Sequence, residues 1–215
     1  MSKLFLDISM SLDGFITGPD PNPEQGLGRG GEALHEWAVE LKSFHERHGR
    51  EGEGGTEGQD SDILDEAFER CGSWVMGRNM FDPIGGPWDE NSQLGWWGDD
   101  PPFNGQVFVI THHERESLQL SDTTFTFVTE GVESAVEQAR EASGGKDVAI
   151  AGGAKVFQQG LRAGLVDEFQ LHIAPITLGD GTRLFEEGAP PMDFEITRVL
   201  ESDAAVTHVR YEVKR

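Results

Sequence analysis

The sequence predicts an α/β protein built on a central mixed, mostly parallel sheet. Three observations carry this reading. A period-two strand opens the chain at Leu4, helix-like and strand-like segments alternate from Ser61 to Gly164, and the last quarter turns into consecutive strands.

In the opening strand Leu4, Leu6, Ile8 and Met10 alternate with Phe5, Asp7 and Ser9. Ser11 to Pro19 breaks it into a loop, and a Gly/Pro-rich stretch continues to Gly31. Leu34, Trp37, Ala38 and Leu41 then fall at i, i+3, i+4 and i+7, one buried helical stripe. Residues 45–60 scatter Gly49, Gly52, Gly54, Gly55 and Gly58 among Glu, Arg and His, which predicts an exposed flexible insertion inside one domain spanning 1–215. Ser61 or Asp62 is placed to cap a helix carrying Ile63, Leu64, Ala67 and Phe68.

Ser73 to Met76 reads as a short strand that runs into a helix start at Gly77-Arg78-Asn79-Met80-Phe81. Residues 85–105, with Trp88, Trp96 and Trp97 among glycines and prolines, read as a long loop. Strands follow at 106–111 and 125–129, and Val132, Ala135, Val136 and Ala139 mark a helix. Asp147 to Ala151 is a further strand, and Gly152-Gly153 leads into a helix through Val156, Phe157 and Leu161 that Gly164 closes. Phe169, Leu171 and Ile173 alternate with Glu168, Gln170 and His172, the pattern of a half-exposed strand. Residues 193–200 and 204–213 flank Glu201-Ser202-Asp203 as an antiparallel hairpin added to the parallel part.

Composition narrows the function. The 215 residues include 39 acidic and 17 basic side chains, a formal charge of −22. That charge repels nucleic acid and anionic membranes, although a local basic pocket can still hold one small phosphate. Cys71 is alone, so there is no disulfide framework and a reducing cytoplasm is the expected home. Asp7 interrupts the first apolar run before a secretory core forms, and no stretch reaches the roughly 20 apolar residues that span a bilayer.

Four segments carry chemistry. Gly152-Gly153-Ala154-Lys155-Val156 joins a strand to a helix, where two glycines admit a ligand to the backbone and helix amides attract phosphate; a tight turn needing positive φ explains the same pair. Arg78 follows Gly77 at the carboxyl end of a strand, where a guanidinium can fork onto phosphate or pair with a surface carboxylate. Thr111-His112-His113-Glu114-Arg115 ends another strand and can cradle a second phosphate. A metal is not expected at His112 and His113, or at His45 and His48, because no ligand spacing supports one. Asp13 lies just past the first strand, in a loop placed to cover a reacting centre or in an ordinary Asp-Gly turn. Gly26-Leu27-Gly28-Arg29-Gly30-Gly31 satisfies GxGxxG in letters only, since no strand precedes it.

These segments, in this order, resemble the dihydrofolate-reductase-like superfamily. The branch they resemble includes the reductase domain of bifunctional riboflavin-biosynthesis enzymes. The resemblance rests on Ser11-Leu12-Asp13-Gly14-Phe15-Ile16, Met76-Gly77-Arg78-Asn79-Met80-Phe81, Ala151-Gly152-Gly153, Asp167-Glu168-Phe169 and Pro175-Ile176-Thr177-Leu178-Gly179-Asp180-Gly181. It implies helices on both faces of the sheet, three layers in all, and an NADPH-dependent reductase acting on a small heterocyclic or carbonyl substrate. The riboflavin-pathway 5-amino-6-(5-phosphoribosylamino)uracil reductase is the model, and a non-catalytic nucleotide- or pterin-binding protein is the alternative. By the same resemblance Gly152, Gly153, Ala154, Lys155 and Val156 would hold the pyrophosphate. Gly77, Arg78 and Asn79 would meet the phosphates or adenosine side, and Thr111, His112 and Arg115 the 2′-phosphate. Asp13 and Glu36 are the candidate acids, with Glu32 beside the latter, because Ala151 stands where the riboflavin branch has an acid. A homodimer is expected by analogy with that branch.

Overall fold

A parallel strand buried on both faces needs apolar side chains pointing both ways, and the centre of this sheet supplies them. The computed structural model describes residues 2–22, 24–48, 50, 54–82, 87–88, 95, 97–202 and 205–214. Its strands are β1 (Leu4–Ser11), β2 (Phe15–Thr17), β3 (Cys71–Gly77), β4 (Gln106–Ile110), β5 (Leu118–Leu120), β6 (Thr123–Val128), β7 (Asp147–Gly152), β8 (Glu168–Ala174), β9 (Thr182–Arg183), β10 (Phe194–Glu201) and β11 (Thr207–Val213). Nine of them form one sheet in the order β10-β11-β8-β1-β7-β3-β4-β6-β5, while β2 and β9 pair separately. The run from β8 to β6 is parallel throughout; β5, β11 and β10 are antiparallel to their neighbours. The predicted mixed sheet and terminal hairpin are therefore present.

Helices α1 (Glu36–Val39), α2 (Lys42–Arg47), α3 (Gln59–Arg70), α4 (Arg78–Phe81), α5 (Val132–Ala142) and α6 (Ala154–Arg162) complete the chain, with a 3-10 turn at Gly31–Leu34. Alternation along the strands separates two cores. Leu4, Leu6, Val75, Phe108, Val148 and Ile150 face α5 and α6. Phe5, Trp74, Met76, Val107 and Val109 face the opposite way, onto Ala67 of α3, Phe81 of α4 and the rings of Phe103, Trp88 and Trp97. Trp96, expected in the same loop, lies outside the described residues.

Four expectations change in detail. β8 is buried on both faces rather than half-exposed, with Glu168, Gln170 and His172 at 4%, 3% and 1% exposure. α3 begins at Gln59, ahead of both Ser61 and Asp62, with Gly58 at its N-cap and no side-chain cap; Ser61 hydrogen-bonds Ser43 instead. The 45–60 segment is anchored at Thr56: Lys42 donates to Thr56 at 3.1 Å, Thr56 donates to Glu40 at 2.8 Å, and Leu41 and Thr56 form a β-bridge. The short strands β2, β5 and β9 had no pattern long enough to announce them.

The buried polar stripe of β8 explains how α1 and α3 are seated. Asp7 of β1 lies 2.5 Å from Nε2 of His172, whose Nδ1 lies 2.6 Å from Nδ1 of His208 on β11. Nε2 of His208 lies 3.0 Å from Asp60 of α3, which accepts from Ser202 at 2.7 Å. Carboxylate oxygens accept, so both Nε2 atoms donate, and the Nδ1–Nδ1 contact needs one further proton. The two imidazoles thus stand in line between two carboxylates. Burial first, then His172, pushes the His208 pKa below its usual value. Trp37 of α1 closes the arrangement, its ring 4.5 Å from that of His172 and its indole N–H donating to Ser9 at 3.0 Å.

Removing one member leaves charged partners buried and unmatched. His208→Ala is expected to cost about 3–5 kcal/mol of stability, the scale for breaking a buried ion pair. Denaturant unfolding checks it, and a loss no larger than that of an exposed-site alanine variant would show that Asp60 and His172 find other partners.

Candidate active site at the carboxyl edge of the sheet

In open α/β sheets ligands bind outside the carboxyl ends of parallel strands, where loops from adjacent strands meet. Here β1 ends at Ser11, β7 at Gly152, β3 at Gly77 and β4 at Ile110, so the predicted segments all reach one edge. β3 and β7 are neighbours, with Met76 opposite Gly152. A Cβ on Gly77 would stand 3.2 Å from Val156 and 4.0 Å from the Gly153 nitrogen, which sets the two glycine turns side by side. Gly152 has φ 140° and is packed on Met80, whose sulfur a Cβ would meet at 3.1 Å. Gly153 differs: its φ is −105°, and a Cβ there would meet no heavy atom within 4 Å.

The helix that starts at this turn lacks a compensating acid, as α2 and α4 also do. α3 and α5 carry acids in their first turns, as the helix dipole favours. α6 carries none, and Lys155 stands there, exposed. A cation at a helix N-terminus opposes the dipole, and an anion held between the two would offset that.

The basic groups on β3 and β4 are more occupied. Arg78 donates to the Asp82 carbonyl at 2.7 Å and to its carboxylate at 3.3 Å, and its guanidinium lies 3.7 Å from the Trp88 ring centre. Arg115 lies 4.8 Å from the same ring and 5.0 Å from that of Phe127. Burial, then the charge of Arg78, lowers the Arg115 pKa. The Thr111 hydroxyl accepts from the His113 amide at 3.1 Å, and the His113 carbonyl accepts from the Trp88 indole at 2.9 Å. Asn79 and His112 are exposed. Beside Arg115 a shallow depression of about 510 Å³ is lined by Glu114, Glu116, Phe127, Thr129 and Glu130, so this end is mixed in charge.

Residues 2–207 match the family model for the RibD C-terminal domain. The chain belongs to that family. It is similar to a putative riboflavin biosynthesis protein from Shewanella sp. PV-4 at 23% identity, covering 99% of each chain with a TM-score of 0.66. The protein YyaP of Bacillus subtilis strain 168, described as uncharacterized, is 22% identical over 97% of this chain and 94% of its own. The Thermotoga maritima diaminohydroxyphosphoribosylaminopyrimidine deaminase/5-amino-6-(5-phosphoribosylamino)uracil reductase matches at 14% identity and a TM-score of 0.57, over 99% of this chain and 57% of its own. Among the described residues no helix is long and apolar enough to cross a membrane, and no cluster of metal-binding side chains occurs.

Within this RibD C-terminal domain the two candidate acids stand in different settings. Asp13 accepts from the Ser11 hydroxyl at 2.6 Å, from the Gly179 amide at 2.7 Å and from the Leu178 amide at 3.1 Å. The Ser11 hydroxyl foremost, and these amides with it, hold the Asp13 carboxyl down at about 2. A carboxylate so engaged is a tether joining the β1–β2 turn to the 175–181 loop rather than a source of protons. Glu36 and Glu32 are exposed around the first turn of α1. Sequence reasoning missed the Asp7–His172–His208–Asp60 chain and Trp37 beside it. A signal existed: three neighbouring strands carry polar residues in phase, Asp7 opposite Gln170, Ser9 opposite His172, and His172 opposite His208.

The tether has a defined pH range. Because the Asp13 pKa falls from 3.8 to about 2 on folding, its contribution is complete above about pH 4 and is lost as pH falls through about 2. Amide exchange at Leu178 and Gly179 is expected to quicken over that interval, and to be fast at neutral pH in Asp13→Ala. Unchanged protection in the variant would remove Asp13 from the loop's support.

Proposed function

We propose that the protein is an NADPH-dependent reductase that adds a hydride and a proton across a C=N or C=O bond of a small heterocyclic or carbonyl substrate, a riboflavin-pathway type of reaction. The observation that carries the reading is the Gly77–Gly153 pair of turns on adjacent strands, opening onto the N-terminus of α6, with Lys155 where an acid is normally favoured. The family it belongs to, and the reductase activity named for its Thermotoga maritima neighbour, support the same reading.

The residues present fit the cofactor best at its pyrophosphate. Gly152, Gly153, Ala154, Lys155 and Val156 would hold that group, because the Gly153 backbone is open and the α6 amides and Lys155 supply positive charge. Gly77 and Asn79 would line its adenosine side. Arg78 and Arg115, with Thr111 and His112 at the end of β4, would receive the 2′-phosphate, Arg78 exchanging the Asp82 carboxylate for it. When bound, NADPH supplies the hydride. Glu36 is the carboxylate assigned to proton delivery, and Asp13 positions the loop that covers the reacting centre.

A second reading is favoured by one observation: Ala151 and the fully engaged Asp13 leave no acid beside the glycine turn, which suits a protein that binds a nucleotide or pterin without turning it over.

Gly153→Ala separates a ligand cradle from a bend. The added methyl meets nothing in the protein, so the melting temperature should be unchanged while NADPH affinity, read by fluorescence titration, falls by about tenfold or more, 1.4 kcal/mol. Equal affinity would reduce the turn to a structural one. Consumption of NADPH with dihydrofolate, the riboflavin-pathway intermediate or simple aldehydes tests turnover, and tight binding without consumption selects the second reading.

A further inference from the structure

One histidine ring outside the candidate site faces more acceptors than a neutral imidazole can serve. His45 of α2 sets Nε2 2.8 Å from the carbonyl of Val39, the last residue of α1. Its Nδ1 lies 3.0 Å from the carbonyl of Gly54 in the Gly-rich segment. A carbonyl oxygen only accepts, and a neutral imidazole carries one N–H. Both contacts are therefore hydrogen bonds only when the ring holds two protons. With one proton, one of the two carbonyls faces a bare nitrogen lone pair and is repelled.

The other ties of this corner do not change near neutral pH. The Thr56 amide donates to Glu40 at 2.8 Å, and the Lys42 amide donates to Thr56 at 3.1 Å. Gly55 lies so close that a Cβ there would stand 2.6 Å from the Lys42 nitrogen, and Lys42 pairs with Glu57. Residues 55–57 thus stay on 40–42 whatever the ring does, and the conditional contact acts next to them, at Gly54. At its other end the ring caps Val39, one of the carbonyls that a helix leaves unpaired and where backbone dipoles favour a cation. Charged neighbours have engagements of their own. Arg47 pairs with Asp65 of α3 at 3.1 Å, the His48 ring contacts the Phe44 carbonyl at 2.8 Å, and Glu40, Glu46 and Arg50 are exposed. The His45 ring itself is half-buried and reaches solvent, so its second proton follows the pH.

We propose that His45 is a pH-operated latch: the doubly protonated ring pins Gly54 to the end of α1, and the neutral ring lets go of one of the two. Histidine is the side chain that makes this exchange between about pH 5 and 8. The latch holds the short helix that sets Trp37 against the His172 and His208 rings and carries Glu36 in its first turn. Acid therefore stiffens the corner between α1 and α2, and its contribution is lost as pH rises. The device needs no ligand and is independent of the reductase reading.

Thermal unfolding of wild type, His45→Gln and His48→Gln at about pH 5.5 and about pH 8 tests this. A glutamine cannot donate from both ends, so it serves one carbonyl at either pH, and His48→Gln removes the neighbouring histidine as a control. Between the higher and the lower pH, wild type is expected to gain about 2–4 °C in melting temperature relative to His45→Gln, the scale of one hydrogen bond in a chain of this size. His48→Gln should track wild type. Long-range proton–nitrogen NMR of the wild-type ring gives a second readout: hydrogen-bonded protons on both Nδ1 and Nε2 of His45 at the lower pH, and on one nitrogen at the higher. An equal pH response in wild type and His45→Gln, a response lost in His48→Gln instead, or no hydrogen-bonded pair of ring protons at the lower pH overturns the proposal. The NMR measurement uses wild type alone, so it decides the matter even where His45→Gln fails to fold.

Discussion

The molecule depends on two imidazoles held between two carboxylates. His172 and His208 face each other across β8 and β11 at 2.6 Å, with Asp7 and Asp60 at the outer ends of the chain. The arrangement joins a central strand, an antiparallel strand and α3, and Trp37 brings α1 onto it. An apolar contact of similar area would hold these elements with less regard to register. The polar chain works only if Asp7, His172, His208 and Asp60 align, so it ties α3 and the 3-10/α1 segment to one register on the sheet. Buried charge is a poor source of net stability. Its effect here is positional, and the position it sets is that of His35 and Glu36 relative to the carboxyl edge of β1.

The opposite face is held by a different kind of force. α5 and α6 present alanine, valine, leucine and phenylalanine to Leu4, Leu6, Val75 and Ile150, with Phe157 and Phe169 fully buried at a ring separation of 5.3 Å. Each such side chain contributes about 1.5–3 kcal/mol by leaving water. That contact is tolerant of small shifts, but it fixes where α6 begins. Since Gly153 is the residue before α6, the depth at which the helix packs decides where its amides and Lys155 reach the edge. One face therefore places the start of α6 and the other that of α1, while Asp13 ties the 175–181 loop to the end of β1.

The parts that were legible in the sequence are those with long, one-sided periodicity. β1, β7, α5, α6 and the terminal hairpin announce themselves through alternation or a 3.6-residue stripe, and the glycine turns stand out because two adjacent strands end in them. β8 misled for a physical reason: Gln170 and His172 look like solvent positions until β1 and β11 supply partners from more than 30 residues away. Ser61 misled similarly, as a residue suited to capping that is drawn into a tertiary bond instead, and Asp62 lies within α3. Asp13 was found by motif, yet its role turns on Leu178 and Gly179, which no local pattern couples to it.

The −22 charge sets a constraint on any anionic ligand. At physiological salt the field of exposed carboxylates decays within about 8 Å, so a nucleotide is not drawn in from a distance and must be held by groups at contact range. The edge is built for that regime. Backbone amides at the start of α6 carry no counter-acid, while Arg78 and Arg115 both stack on Trp88, at 3.7 and 4.8 Å. Burial first, and then repulsion between two guanidiniums on one ring, lowers the Arg115 pKa, and Asp82 offsets part of that repulsion. A phosphate arriving there would replace Asp82 with a second negative charge and a better fork geometry. On the proposed reading the acidic surface would disfavour polyanions at close approach, while the arginine pair would hold an anion small enough to reach Trp88.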